Sequence, residues 1–399
     1  MSVSTLYDLT PLASLLAVGA LLALGPLVWV YRRNRHTAPM QRAQALRWLT
    51  LFLTFDLILF GAFTRLTDSG LGCPDWPGCY GNTSPLGASH AIAAAQAAMP
   101  SGPVTHAKAW IEMIHRYLAT GVGALIVAMT VTSWLRWRTR ARLGQPQGQG
   151  ELSPWWATFT LFWVCLQGAF GAFTVTMKLF PAIVTLHLGG ALVLLALLAL
   201  QVVRGSTSPV PLTLSRSVHR WWGVAFVLLA LQILLGGWVS ANYAVLACTD
   251  FPLCQNRWWP EMNFAQGFEL WRHLGLTSGG EPISFAALTA IHYVHRLMAY
   301  LVLVVLVGLA WQLNRAPVWR SHSRVLAALV GLQLATGLSN VVFNWPLLAA
   351  LLHTGGAAAL VLTLTWIGGR ATVPSSESVL AKAMRATRVA EPREQGKLA

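Results

Sequence analysis

Nine apolar runs, near residues 9–31, 45–65, 109–135, 155–176, 181–203, 217–240, 284–310, 322–341 and 346–367, constrain this chain more than any other feature. Each approaches the roughly 20 residues that a helix needs to cross a hydrocarbon core of ~30 Å. In lipid the backbone must satisfy its own hydrogen bonds, so such runs fold as helices. Only 10% of the residues are charged, against about 25% in soluble chains. The first run is followed, not preceded, by the basic stretch "YRRNRH" and has no cleavage-site pattern, so it reads as a membrane helix and not a signal peptide. The fold class expected is an all-α polytopic membrane protein.

A net charge of +15 raises the thought of nucleic acid, and its distribution answers it. Of 28 Lys and Arg residues, 21 fall in the connections 32–47, 136–142, 204–220 and 315–324 and in the tail from 370. These segments all lie on one side of the membrane if the helices alternate. That is the positive-inside bias, and it predicts a periplasmic N-terminus and a cytoplasmic C-terminus in a bacterial inner membrane. The basic tail then meets anionic membrane lipid or solvent, and no nucleic-acid partner is expected.

The same orientation puts "LTDSGLGCPDWPGC" (66–79) and "CTDFPLC" (248–254) outside. An oxidising compartment favours disulfides, so Cys73/Cys79 and Cys248/Cys254 read as two short staples, with redox-active thiols as the other reading. Zinc would want about four ligands, and neither loop offers a histidine between its cysteines. Cys165, inside an apolar run, reads as a small packing residue.

The chain repeats itself. An offset of 175 places "GAFTRLTDSGLGCPDWPGC" over "GGWVSANYAVLACTDFPLC", keeping Gly61/Gly236, Cys73/Cys248, Asp75/Asp250, Pro77/Pro252 and Cys79/Cys254 in register. An offset of 180 places "IEMIHRYLA" over "IHYVHRLMA", and 166 places "LHLGGALVL" over "LHTGGAAAL" with Gln167 over Gln333. Helices two to five therefore match helices six to nine. Both copies start on the same side, which predicts two parallel, pseudo-symmetric four-helix bundles plus one extra N-terminal transmembrane helix. The expected units are 1–44 (accessory helix and link), 45–203 (first bundle), 204–369 (second bundle) and 370–399 (tail).

Four histidines recur between the copies: His115 with His295, and His187 with His353. Ionisable groups at membrane depth are rare and usually functional. Two opposed neutral imidazoles per bundle are what bis-histidine haem ligation needs. Gly189/Gly190 and Gly355/Gly356 follow two of the histidines and admit a macrocycle or another helix close to the backbone. Arg116 and Arg296 follow the other two and suit haem propionates. The plainer reading is that the histidines hydrogen-bond across a bundle and the glycines pack helices.

The copies differ at one telling place. Glu112 stands one helical turn before His115, where the second copy has His292 before His295. That asymmetry suggests an electron-carrying haem in the second bundle and a reacting, haem-like substrate in the first, with Glu112 handling protons. A Glu112–Arg116 ion pair is the structural alternative. His292 suits hydrogen bonding near the haem as well as ligation. Asp56 is placed mid-helix, protonated or meeting Arg65, and Asn340 and Asn344 suit a helix end or a pocket wall. An alanine-rich stretch before Pro100 predicts a short surface helix, and Trp258 and Trp259 suit the membrane interface.

"GAFTRLTDSGLGCPDWPGCYG", "EMIHRY", "TLHLGGAL", "HYVHRL" and "LLHTGGA", in this order over residues 45–367, resemble the heme A synthase family. The resemblance implies an enzyme that oxidises a methyl group of heme O to a formyl group by successive hydroxylations, giving heme A for haem–copper cytochrome oxidase. It implies haem b held by His295 and His353, heme O received near His115 and His187, and a reactive role for Glu112. Heme O synthase and oxidase assembly proteins become candidate partners, and a separate redox partner is required that the motifs do not name. The rival reading is a non-enzymatic bis-histidine haem protein for electron transfer or haem carriage. A transporter, often built from inverted copies, ranks third.

Overall fold

The computed structural model describes residues 10–146, 150–206 and 212–372. Residues 373–399, most of the expected basic tail, lie outside the described residues. In chain order the helices are α1 (Thr10–Arg33), α2 (Pro39–Leu66), α3 (Ser89–Ala98), α4 (His106–Arg142), α5 (Pro154–Thr176), α6 (Pro181–Arg204), α7 (Arg216–Ala241), α8 (Phe264–Gly267), α9 (Phe285–Asn314), α10 (Arg320–Val342) and α11 (Leu347–Arg370). All except α3 and α8 are long and apolar enough to cross a membrane, giving nine such helices among the described residues. The chain is a multi-pass membrane protein. Two two-residue strands, Leu212–Thr213 and Ala371–Thr372, pair in parallel and fasten the connection before α7 to the end of α11.

Local chemistry sets the helix starts. Proline occupies the first position of α2, α5 and α6, where the missing N–H has no helical partner to lose. Thr105, Ser215 and Ser284 cap α4, α7 and α9 by accepting from the N–H groups of Lys108, Val218 and Ala287. The helix α4 outruns its apolar stretch of 109–135 by a full turn or more at its C-terminal end. Arginine and leucine are good helix formers, so "LRWRTRAR" carries the helix beyond the apolar span, and Arg140 there pairs with Glu151 across the connection.

α2 packs on α4 and α6, α4 on α5, and α5 on α6; α7 packs on α9 and α11, α9 on α10, and α10 on α11. α6 also packs on α7 and α11, and α2 on α11. α1 leans on α4 and α2. One buried cluster joins Leu51, Ile58, Leu125, Leu195 and Leu198 with Ala23 and Val30 of α1. Another joins Leu229 of α7, Leu306 and Leu309 of α9, Leu326 of α10 and Leu364 of α11.

The two cysteine loops share their wiring. Cys73–Cys79 and Cys248–Cys254 are disulfide-bonded. Asp75 accepts from the amides of Tyr80 and Gly81 at 2.6 and 2.8 Å, and Asp250 from those of Gln255 and Asn256, both at 2.8 Å. Cys79 and Asn82 form an isolated bridge, as do Cys254 and Arg257. Trp258 and Trp259 in the longer second loop stand exposed.

Candidate functional site

A cavity of about 1410 Å³ opens between the helices, and His115 (α4), His187 (α6), His295 (α9) and His353 (α11) all line it. Its lining draws on α1, α2, α4, α5, α6, α7, α9, α10 and α11, and its wall is overwhelmingly apolar.

Each imidazole lies against a glycine of a neighbouring helix. A methyl group added at Gly61 (α2) would come within 2.9 Å of His115 Cε1, and one at Gly236 (α7) within 3.0 Å of His295 Cε1. At Gly171 (α5) and Gly337 (α10) the corresponding approaches, to the Cε1 of His187 and of His353, are 3.4 and 3.3 Å. These four glycines are the ring cradles, and the sequence pattern offers a signal for them: Gly236 is Gly61 plus 175, and Gly337 is Gly171 plus 166. The glycines that follow the histidines serve the helix-packing alternative. Gly190 and Gly356 receive the side-chain amides of Gln167 and Gln333, while Gly189 and Gly355 receive Leu234 and Leu59.

The donor set is spare. The Nδ1 atoms of His115, His187 and His295 are buried without a hydrogen-bond partner. His353 Nδ1 lies 3.0 Å from Thr336 Oγ1, whose own proton goes to the Leu332 carbonyl at 2.7 Å. The hydroxyl therefore accepts from Nδ1–H, which leaves the Nε2 lone pair of His353 as the free one. Among the described residues no group of three or more His, Cys, Asp and Glu could hold a bare metal ion. Imidazoles set against a mostly apolar wall would suit an iron that arrives already held by other ligands, as in haem.

The acidic and basic neighbours are tied to the loops. Glu112 is buried; its Oε1 accepts from Arg116 Nη2 at 2.5 Å and its Oε2 from the Cys73 amide at 2.7 Å. Arg116 Nη1 donates to the carbonyls of Gly78 and Asp75, at 2.5 and 2.9 Å. The ion pair offered as the structural alternative is formed, and it latches the first disulfide loop onto α4 beside the cavity. Arg296 holds the second loop by donating to the carbonyls of Leu253, Asp250 and Cys248 at 2.7, 3.1 and 3.3 Å. Both guanidinium groups thus face loop carbonyls, a set of partners that motif reading did not reveal. His292 turns its Nδ1 to the carbonyl of Ala244 at 3.1 Å, a hydrogen-bonding position next to His295.

Two smaller expectations change, and a third resolves between its alternatives. Cys165 is exposed on the cavity wall and is no packing residue. Asp56 is exposed, and Arg65 turns from it to Asp68, Tyr243 and Ser240, because α2 carries Asp56 on its outer surface. Asn340 is buried on the cavity wall with its Oδ1 unpartnered, so the pocket reading is the one that holds.

Residues 44–365 match the family described as cytochrome oxidase assembly protein. A heme A synthase of Shewanella oneidensis is 39% identical over 329 residues, covering 81% of this chain and 95% of that protein. The chain belongs to the heme A synthase family. Heme A synthases of Caulobacter vibrioides and Halalkalibacterium halodurans are 30% and 26% identical over 357 and 320 residues, covering 82% and 78% of this chain and 96% and 91% of those proteins. The family match begins after α1, and it includes all four cavity histidines and both cysteine loops.

Proposed function

We propose that this chain is a heme A synthase, oxidising a methyl group of heme O to a formyl group by successive hydroxylations. The observation that carries the reading is the cavity with its two histidine pairs, in a chain of this family.

Residues 45–203 form the substrate bundle and 204–369 the cofactor bundle, two parallel copies with 1–44 and 370–399 as additions. Equal wiring of the two cysteine loops and the matching glycine cradles support that division. In this reading His295 and His353 hold haem b, which supplies one-electron transfer when bound. Gln232 and Gln333 brace that pair by donating to the main-chain carbonyls of His295 and His353 at 3.2 and 2.9 Å. His115 and His187 receive heme O. Methyl oxidation must be accompanied by proton exchange, and Glu112, on the cavity wall one turn from His115, is the group to carry it out. Arg116 keeps that carboxylate in place, and Arg296 does the corresponding work for the second loop, so both position and neither reacts. The apolar wall keeps water from the reacting carbon.

The N-terminus is periplasmic and the C-terminus cytoplasmic in the bacterial inner membrane, a reading supported by the basic connections and the disulfides. Heme O synthase upstream and oxidase assembly proteins downstream are the partners this chemistry calls for. The deciding experiment is chromatographic analysis of haems extracted after expression with heme O supplied. A new formyl-bearing haem is expected; unchanged haem b and heme O would overturn the reading in favour of a haem carrier.

A further inference from the structure

The helix α1 lies outside the family match, which covers residues 44–365, yet it is built into the cavity. Gly19 of α1 lies so close to α4 that a methyl group there would come within 2.4 Å of Thr120 Oγ1. Close approach of this kind fixes one membrane helix against another. One face of α1, carrying Leu16, Ala20 and Leu24, then lines the same void as His115 and His187. Across from it stands α5 with Cys165, and between them runs a stripe of α4 through Ala119, Gly123 and Val127. That stripe continues from His115 at helical spacing.

The groove is open. Nothing would lie within 4 Å of a methyl group at Gly123 or Gly168. Leu16 is 55% and Val127 46% exposed, so the groove faces the surrounding lipid along its side. From Ala119 to Val131 it extends about 18 Å at 1.5 Å per residue. At the opposite end the void meets Glu112, Arg116 and the loop carbonyls, where an apolar chain would desolvate polar groups at a cost.

We propose that α1, α4 and α5 form a lateral groove for the prenyl side chain of the porphyrin substrate, with α1 as the wall that favours a prenylated over an unprenylated haem. This rests on the reading of the His115/His187 side as the substrate side. Heme O differs from protohaem by a long apolar chain. With the ring between the two histidines, that chain needs an apolar path leading away from the polar loop end. The groove supplies one, and its open side admits a substrate dissolved in the membrane. An ordinary lipid acyl chain is the competing occupant.

The test uses purified holoenzyme carrying its resident haem, titrated spectroscopically with heme O and separately with protohaem. Ala20→Trp and Val127→Trp fill the groove from two different helices, while Leu21→Trp places the same bulk on the lipid-facing side of α1, where Leu21 is 67% exposed. Each groove variant should weaken heme O binding by about tenfold or more, the loss expected when several methylene groups leave an apolar site. Protohaem binding should stay within about twofold, and Leu21→Trp should change neither. Equal losses for both haems would mean that the variants merely disturb the histidines, and no loss for either would leave the groove to lipid; both results overturn the proposal. Formation of formyl-bearing haem by the unaltered protein is followed in parallel. Its absence would bring down the synthase reading itself, whereas its presence with unaltered binding in the variants would remove only the groove.

Discussion

Arg65 Nη2 donates to the main-chain carbonyl of Ser240 at 2.6 Å, and the two residues stand 175 positions apart. The same offset separates Asp68 from Tyr243, whose hydroxyl donates to the Asp68 carboxylate at 2.5 Å. It is also the offset that registers the two cysteine loops. This cluster is a seam between the end of α2 and the end of α7. The Arg65 guanidinium lies 4.1 Å from the Tyr243 ring centroid and donates to its hydroxyl at 2.7 Å. Tyr243→Phe keeps the ring and removes both hydrogen bonds. Thermal unfolding in detergent should show a loss of roughly 1–3 kcal/mol, with haem content unchanged; unaltered stability would deny the seam its importance.

The glycine cradles rank themselves. Gly61→Ala and Gly236→Ala force the rings of His115 and His295 to shift, because the added methyl would come within 2.9 and 3.0 Å of them. Gly236→Ala should broaden or reduce the low-spin haem spectrum, and Gly61→Ala should leave that spectrum alone while lowering heme A yield. Gly171→Ala and Gly337→Ala, with looser approaches of 3.4 and 3.3 Å, should be milder in the same two assays. A reversed ranking would mean that ring position is not what these glycines set.

Glu112 has two duties that can be separated. Glu112→Gln keeps the shape, and it should cut heme A formation by about 100-fold if the carboxylate handles protons, with the resident haem spectrum intact. Arg116→Ala leaves the carboxylate buried without its partner and should destabilise the protein by about 3–5 kcal/mol. Hydrogen exchange at the Cys73 amide reports the latch in both variants. Near-normal conversion by Glu112→Gln would reduce this residue to a loop fastener.

His353→Ala should remove the stably bound haem, measured as haem per polypeptide. Thr336→Val should retain it and shift its midpoint potential, because the hydroxyl that accepts from His353 Nδ1–H is lost. A full haem complement in His353→Ala would refute the ligand assignment.

The second cysteine loop should weaken in acid. Burial works against a charged Asp250, but the amides of Asn256 and Gln255 outweigh it and hold the carboxyl below its ordinary value. A depressed folded pKa stabilises the loop above the unfolded value and loses that contribution as pH falls through the folded one. The protection of the Gln255 and Asn256 amides, measured against their intrinsic exchange rates at each pH, should therefore fall as the pH drops below the usual carboxylate range. In Asp250→Asn that pH dependence should vanish.

Much of the molecule was legible before any coordinates. Nine spans, two outer loops with paired cysteines, the 175-residue echo and the four matched histidines are properties of a linear pattern, because bilayer thickness and helical period act locally along a chain. The disulfides formed as the loop pairs suggested. What the pattern could not decide is which side chains share a void. Gly61 and Gly236 were visible as matched positions, but only the rotation and crossing of α2 and α7 set them against the histidine rings. Arg116 and Arg296 line the cavity, and only the folded loops reveal the carbonyls that they also hold. The helix α1 looked like an accessory until Gly19 brought it onto α4 and made it a wall of the cavity. Helix rotation and close approach depend on packing between segments far apart in sequence. No single segment encodes them, so the tertiary structure alone determined how the histidines, the loop latches and the groove meet.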